Sequence, residues 1–96
     1  MFVNVNEIEW IEAEHYYACL HVATKSFMLR QSLKELVRTL DPGKFVGIHR
    51  SVIVNVNQVR ERYREGRNER SVILANGQRL RMSKIGWRNL LAVSRT

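Results

Sequence analysis

The sequence has a single cysteine, Cys19, among 96 residues, which excludes an internal disulfide framework. It has one proline, Pro42, and no repeat, low-complexity tract or internal linker. No apolar run approaches the ~18 residues that a membrane span needs. The first residues, Met1-Phe2-Val3-Asn4-Val5-Asn6, lack the charged and apolar regions of a signal peptide. There is no glycine-rich phosphate loop, no CxxC and no HExxH. Aromatics are few, and Tyr16, Tyr17 and Tyr63 do not form the stacking platform of a single-strand RNA binder. At 45% hydrophobic and 26% charged, the composition is that of a globular chain, not a disordered one. The expectation is one domain over residues 1–96, cytoplasmic, cut from a longer protein because it starts almost inside its first extended segment.

The charge is positive and uneven. Sixteen cations face nine acids, for a formal charge of +7. Residues 1–48 carry five cations and six acids, whereas residues 49–96 carry eleven cations and three acids. Twelve of the cations are arginine, whose planar fork suits phosphates and guanine edges better than the point charge of lysine. One basic half points to a polyanion as partner, and simple solubility is the alternative.

Local patterns predict a mainly β chain with one or two short helices. Short extended segments are expected at Phe2–Val5 and Ile8–Ala13. Tyr16–Ala23 alternates two faces and reads as a strand, turning at Thr24-Lys25-Ser26 into Phe27–Arg30. Ser32 and Glu35 form a capping box, and Leu33, Leu36, Val37 and Leu40 form the apolar stripe of a helix that Asp41-Pro42-Gly43 stops. Val52–Val59 reads as one strand continuing towards Arg64. Asn76-Gly77 predicts a two-residue hairpin pairing Ala75 with Gln78 and Ile73 with Leu80. That register puts Ile73, Leu80 and Met82 on one face and leaves Val72 and Leu74 with Arg79 and Arg81. Ser83 caps a last helix with Ile85, Trp87, Leu90 and Leu91 as its buried residues, and Gly86 weakens that helix by about 1 kcal/mol relative to Ala.

Chemistry-bearing clusters are sparse. Cys19 and His21 share a strand face with His15 nearby, but a structural zinc site needs four ligands, so no metal and no other cofactor is expected. Cys19 sits mid-strand, where nothing lowers its pKa, and Glu12 and Glu14 lie in no obvious cleft. The chain therefore does not read as an enzyme. The basic positions fall into three groups: Arg50; Arg60, Arg62, Arg64, Arg67 and Arg70; and Arg79, Arg81 and Lys84 leading to Arg88. The first two have a plain alternative. Arg50 pairs with an early glutamate such as Glu12, and the Arg60–Arg70 run is a solvated hairpin tip.

Trp10-Ile11-Glu12-Ala13, Tyr16-Tyr17, Ser32-Leu33-Lys34-Glu35-Leu36, Phe45 to Asn55, Gly77 and Met82-Ser83-Lys84, in that order, resemble the LytTR family of DNA-binding domains. The run Phe45-Val46-Gly47-Ile48-His49-Arg50-Ser51-Val52-Ile53-Val54-Asn55 is the most specific piece. The resemblance implies small antiparallel sheets plus helix, and binding of double-stranded DNA at paired direct repeats. It implies loops, not a recognition helix, entering successive major grooves and bending the DNA. It also implies an output module of a bacterial response regulator, behind a receiver or other sensory domain absent from this chain. Carried over by position, it implies contacts from Tyr16 with His15, from Arg50, and from Lys84 with Ile85. The family more often has a small polar residue at Tyr16 and Arg at Lys84. Beside these, Ser51 and Ser83 carry hydroxyls, and Arg79 and Arg81 charges, suited to phosphates. The alternative partner is RNA, as a basic RNA- or ribosome-associated module.

Overall fold

The computed structural model describes residues 3–93, so Phe2 of the first expected segment lies outside the described residues. Eight strands form two antiparallel sheets with two helices: β1 Trp10–Glu14, β2 Tyr17–Val22, β3 Lys25–Leu29, α1 Leu33–Thr39, β4 Phe45–His49, β5 Val52–Asn55, β6 Val59–Glu65, β7 Glu69–Leu74, β8 Arg79–Met82 and α2 Lys84–Val93. The first sheet has the order β3-β2-β1-β5-β4, the second β6-β7-β8.

The α1 capping box forms as the sequence predicts. The Ser32 hydroxyl accepts the Glu35 N–H at 3.1 Å, and Glu35 Oε1 accepts the Ser32 N–H at 3.3 Å. Leu33 and Leu36 of this helix pack on Ile11, Ala18, Phe45 and Ile53 of the first sheet. A second core joins the other face to the second sheet and α2, through Trp10, Ile48, Val54, Val72, Leu74, Leu80, Met82 and Leu90.

Five local expectations are corrected. The described residues before β1 are not a strand: Val5–Glu7 is a 3-10 turn capped by Asn4, whose side chain accepts the Asn6 N–H. The turn between β2 and β3 is shorter than Thr24-Lys25-Ser26. Val22 pairs with Lys25, and Ala23 takes the left-handed conformation at φ 54°. The expected strand from Val52 through Val59 is broken at Val56–Gln58. There the Asn55 side chain accepts the Asn57 N–H at 3.0 Å while its amide donates to the Ile8 carbonyl at 2.8 Å. The chain thereby leaves one sheet for the other.

The fourth correction concerns the second-sheet hairpin. Its loop has three residues, Ala75-Asn76-Gly77. Leu74 donates to the Gln78 carbonyl, Gly77 has φ 92°, and Val72 pairs with Leu80. A one-residue shift moves every side chain to the other face. Val72, Leu74, Leu80 and Met82 are therefore the buried set, and Ile73 lies opposite Arg79.

In α2 the buried positions are Gly86 and Leu90, with Trp87 partly buried. Ile85 and Leu91, expected inside, are 69% and 40% exposed. Ile85 precedes Gly86, and it is Gly86 that faces the sheet. A β-carbon on Gly86 would come within 1.9 Å of the Ile48 carbonyl oxygen. The residue that weakens the helix locally is what lets it seat.

Candidate nucleic-acid interface

Three loops carry the residues singled out from the sequence. The first is the two-residue tip His15-Tyr16, closed by the pair Glu14 and Tyr17. His15 is left-handed at φ 59°, a conformation that histidine tolerates better than bulkier residues. Tyr16 is 81% exposed.

The second is the turn Arg50-Ser51 between β4 and β5. A bulge between Gly47 and His49 shifts the register just before it, and bulges commonly re-aim a neighbouring side chain. His49 Nδ1 accepts the Ser51 N–H at 3.2 Å and lies 2.9 Å from the Ser51 hydroxyl oxygen. The Ser51 carbonyl accepts the Ala13 N–H at 2.9 Å, which ties the turn to β1. Ser51 thus fixes the loop. Arg50 is exposed, and its guanidinium has no hydrogen bond or ion pair among the described residues. Glu12, the alternative partner considered for it, pairs with His21 instead, Oε1 to Nε2 at 2.9 Å.

The third is the start of α2. Ser83 caps it: its hydroxyl accepts the Gly86 N–H at 2.9 Å and points at the Ile48 carbonyl at 3.4 Å, which also accepts the Ser83 N–H at 2.9 Å. Ser83, like Ser51, has its hydroxyl engaged within the protein. Lys84 and Ile85 follow it, both exposed.

The structure brings these loops together around Arg50. One groove is bordered by His15, Tyr16, Arg30, Lys34 and Arg50. A second is bordered by His49, Arg50, Ser83 and Ile85. Arg50 is the wall common to both. Sequence reasoning missed Arg30 and Lys34 as members of this surface, because only the tertiary packing of the segment after β3 and of α1 carries them to the groove that Arg50 borders. For Lys34 the signal available was its position off the apolar stripe.

Arg79 and Arg81 lie elsewhere, on the outer face of the second sheet. Arg79 is already occupied. Its Nε donates to the Ser71 hydroxyl at 3.2 Å, its Nη2 lies 3.7 Å from Glu65, and it sits over the Tyr63 ring at 5.6 Å. Both partners of the Glu65 pair are more than half exposed, so that pair contributes little. Arg81 is exposed. The Arg60–Arg70 run is not uniformly a solvated tip. Arg70 is only 9% exposed, lies opposite Arg64, and donates from Nη1 to the Arg67 carbonyl at 3.1 Å, while its Nε has no hydrogen-bond partner among the described residues.

Two proteins with similar sequences were found. An uncharacterised response regulatory protein of Vibrio cholerae is 43% identical over 61 residues, covering 59% of this chain and 23% of that protein. The CO-responsive transcriptional regulator RcoM of Rhodospirillum rubrum is 37% identical over 59 residues, covering 62% of this chain and 25% of that protein. The matched part is thus about a quarter of the length of these relatives. Among solved structures, the LytTr DNA-binding domain of a putative methyl-accepting/DNA response regulator from Bacillus cereus shares the fold. The TM-score is 0.86 at 23% identity, over 95% of this chain and 84% of that one. The LytTr DNA-binding domain family model matches residues 1–93, and the chain belongs to that family.

Proposed function

We propose that this LytTR domain reads duplex DNA with the His15-Tyr16 tip, the Arg50 turn and the Lys84-Ile85 start of α2, placed in successive major grooves. The observation that carries this reading is the position of Arg50 as the common wall of the two grooves. Its fork has no partner among the described residues and has the geometry to take guanine O6 and N7 together. Arg30 and Lys34 flank it and neutralise phosphates, which fixes register without reading sequence. Ser51 and Ser83 support the reading indirectly, by holding the Arg50 turn and the start of α2 in place. Arg81 serves as a more distant phosphate contact where the DNA bends towards the second sheet, whereas Arg79 must exchange Glu65 for a phosphate to do the same.

In this reading the domain is a non-enzymatic, cytoplasmic output module of a bacterial transcription regulator, governed by a receiver or other sensory domain elsewhere in the protein. Its sites are paired direct repeats. Selection of bound duplexes from a random pool tests this directly: recovery of a repeated half-site supports it. Recovery of no common sequence, or displacement of the duplex by an equal concentration of unrelated RNA, favours the RNA-binding alternative.

A further inference from the structure

We propose that Glu12, Cys19 and His21 form a site for one divalent d-block cation, with zinc(II) the best fit and water as fourth ligand. Strand pairing creates the cluster. Glu12 of β1 lies directly opposite Cys19 of β2, and His21 is two residues further on the same face. The thiol sulfur, a carboxylate oxygen and an imidazole nitrogen all lie within 4.8 Å of one another. Sequence alone pairs Cys19 with His21 but does not supply Glu12, which arrives from the neighbouring strand.

The donor set is borderline-soft, which favours zinc and its transition-metal neighbours over magnesium or calcium. Zinc bonds of about 2.0–2.3 Å in a tetrahedron want donor atoms roughly 3.3–3.7 Å apart. The Glu12–His21 contact, now 2.9 Å, opens by a few tenths of an ångström, and the sulfur closes by up to about 1 Å. Both are movements of side-chain size. The His21 ring is already held, stacked on Trp10 at 3.9 Å and 7°. Thiolate and carboxylate together cancel the charge of the cation, so the loaded site is neutral where Cys19 is only 5% exposed.

Binding replaces the Cys19 S–H bond with a metal–sulfur bond and releases that proton to water, so affinity rises with pH. The site lies two register steps from the His15-Tyr16 tip and is independent of the DNA-binding reading.

The test is a cobalt(II) titration of the reduced chain, with a phosphine in place of a thiol reductant. The expected result is a thiolate-to-cobalt charge-transfer absorption that saturates at one equivalent, quenching of Trp10 fluorescence, and loss of the band on adding zinc. Cys19→Ser abolishes the band. His21→Gln and Glu12→Gln weaken binding roughly tenfold or more, since even outer-shell partners are worth that much. Lack of a charge-transfer band in the unmutated chain overturns the proposal whether or not the variants fold. Equal affinity in folded His21→Gln and Glu12→Gln overturns it too.

Discussion

Gly86 of α2 lies against the backbone of Ile48 so closely that a β-carbon would sit 1.9 Å from its carbonyl oxygen and 2.6 Å from its Cα. Backbone cannot step aside as a flexible side chain does. Helix propensity alone gives Gly86→Ala a gain of about 1 kcal/mol. The packing reverses the sign, and a loss of roughly 3 kcal/mol is expected from the overlap. Urea unfolding of the two proteins decides between them, and a Gly86→Ala chain as stable as the parent contradicts the packing of α2 on the β4 bulge.

Leu36 is buried in the centre of the α1 stripe, against the first sheet. Leu36→Ala is expected to cost about 2–5 kcal/mol through lost contacts and a residual cavity. An unchanged melting temperature contradicts the docking of α1, and with it the placement of Lys34 on the groove that Arg50 borders.

Glu35 gives a pH signature. Hydrogen bonds from the Ser32 hydroxyl and backbone hold its carboxyl below the usual pKa, with a smaller contribution from Arg38. A carboxylate depressed in the folded state adds stability above its unfolded pKa and loses it as pH falls through the folded value. The capping box therefore weakens below about pH 4. In Ser32→Ala the Glu35 carboxyl is expected to titrate closer to the ordinary glutamate value, read from its side-chain carbon resonance. Equal titration in both proteins contradicts the box as the cause.

Local features of this fold were legible in the sequence, and tertiary ones were not. Ser32, Glu35 and the Leu33–Leu36 stripe specify α1 within a few residues, so the helix and its cap were predictable. The break at Val56–Gln58 was not, because Val52 to Val59 is uniformly strand-forming. What breaks it is Asn55, whose amide is drawn to the Ile8 carbonyl, 47 residues away in sequence. The Asn76-Gly77 hairpin shows a different failure. Two- and three-residue loops share the same turn residues, and the choice between them sets the face of every side chain. The mixed face of the two-residue register, with Val72 and Leu74 beside Arg79 and Arg81, was the sign that the longer loop was correct. At the candidate interface, Arg50 was legible from its motif. Its freedom from Glu12 was not, since that depends on His21 lying across the strand.

Electrostatics gives a prediction that does not depend on which base is read. With about six phosphates neutralised, affinity for duplex DNA is expected to fall roughly 10³-fold between about 50 and 200 mM salt. Arg30→Ala and Lys34→Ala should each lower the slope by about one if each meets a phosphate. Slopes unchanged in both variants remove the α1 side of the groove from the interface.

The central claim is that Arg50 reads sequence, and the ratio of specific to non-specific affinity tests it most directly. The ratio is measured for the parent, Arg50→Ala and Arg81→Ala at one fixed salt concentration, on a selected site and on random duplex. Arg50 has no partner to lose among the described residues, so Arg50→Ala should fold as stably as the parent. It should lose about 1–3 kcal/mol on the selected site and much less on random duplex, collapsing the ratio by roughly tenfold or more. Arg81→Ala should weaken both duplexes about equally and leave the ratio intact. Equal losses on the two duplexes for Arg50→Ala would contradict the claim and leave Tyr16 and Lys84 as the residues to examine for readout.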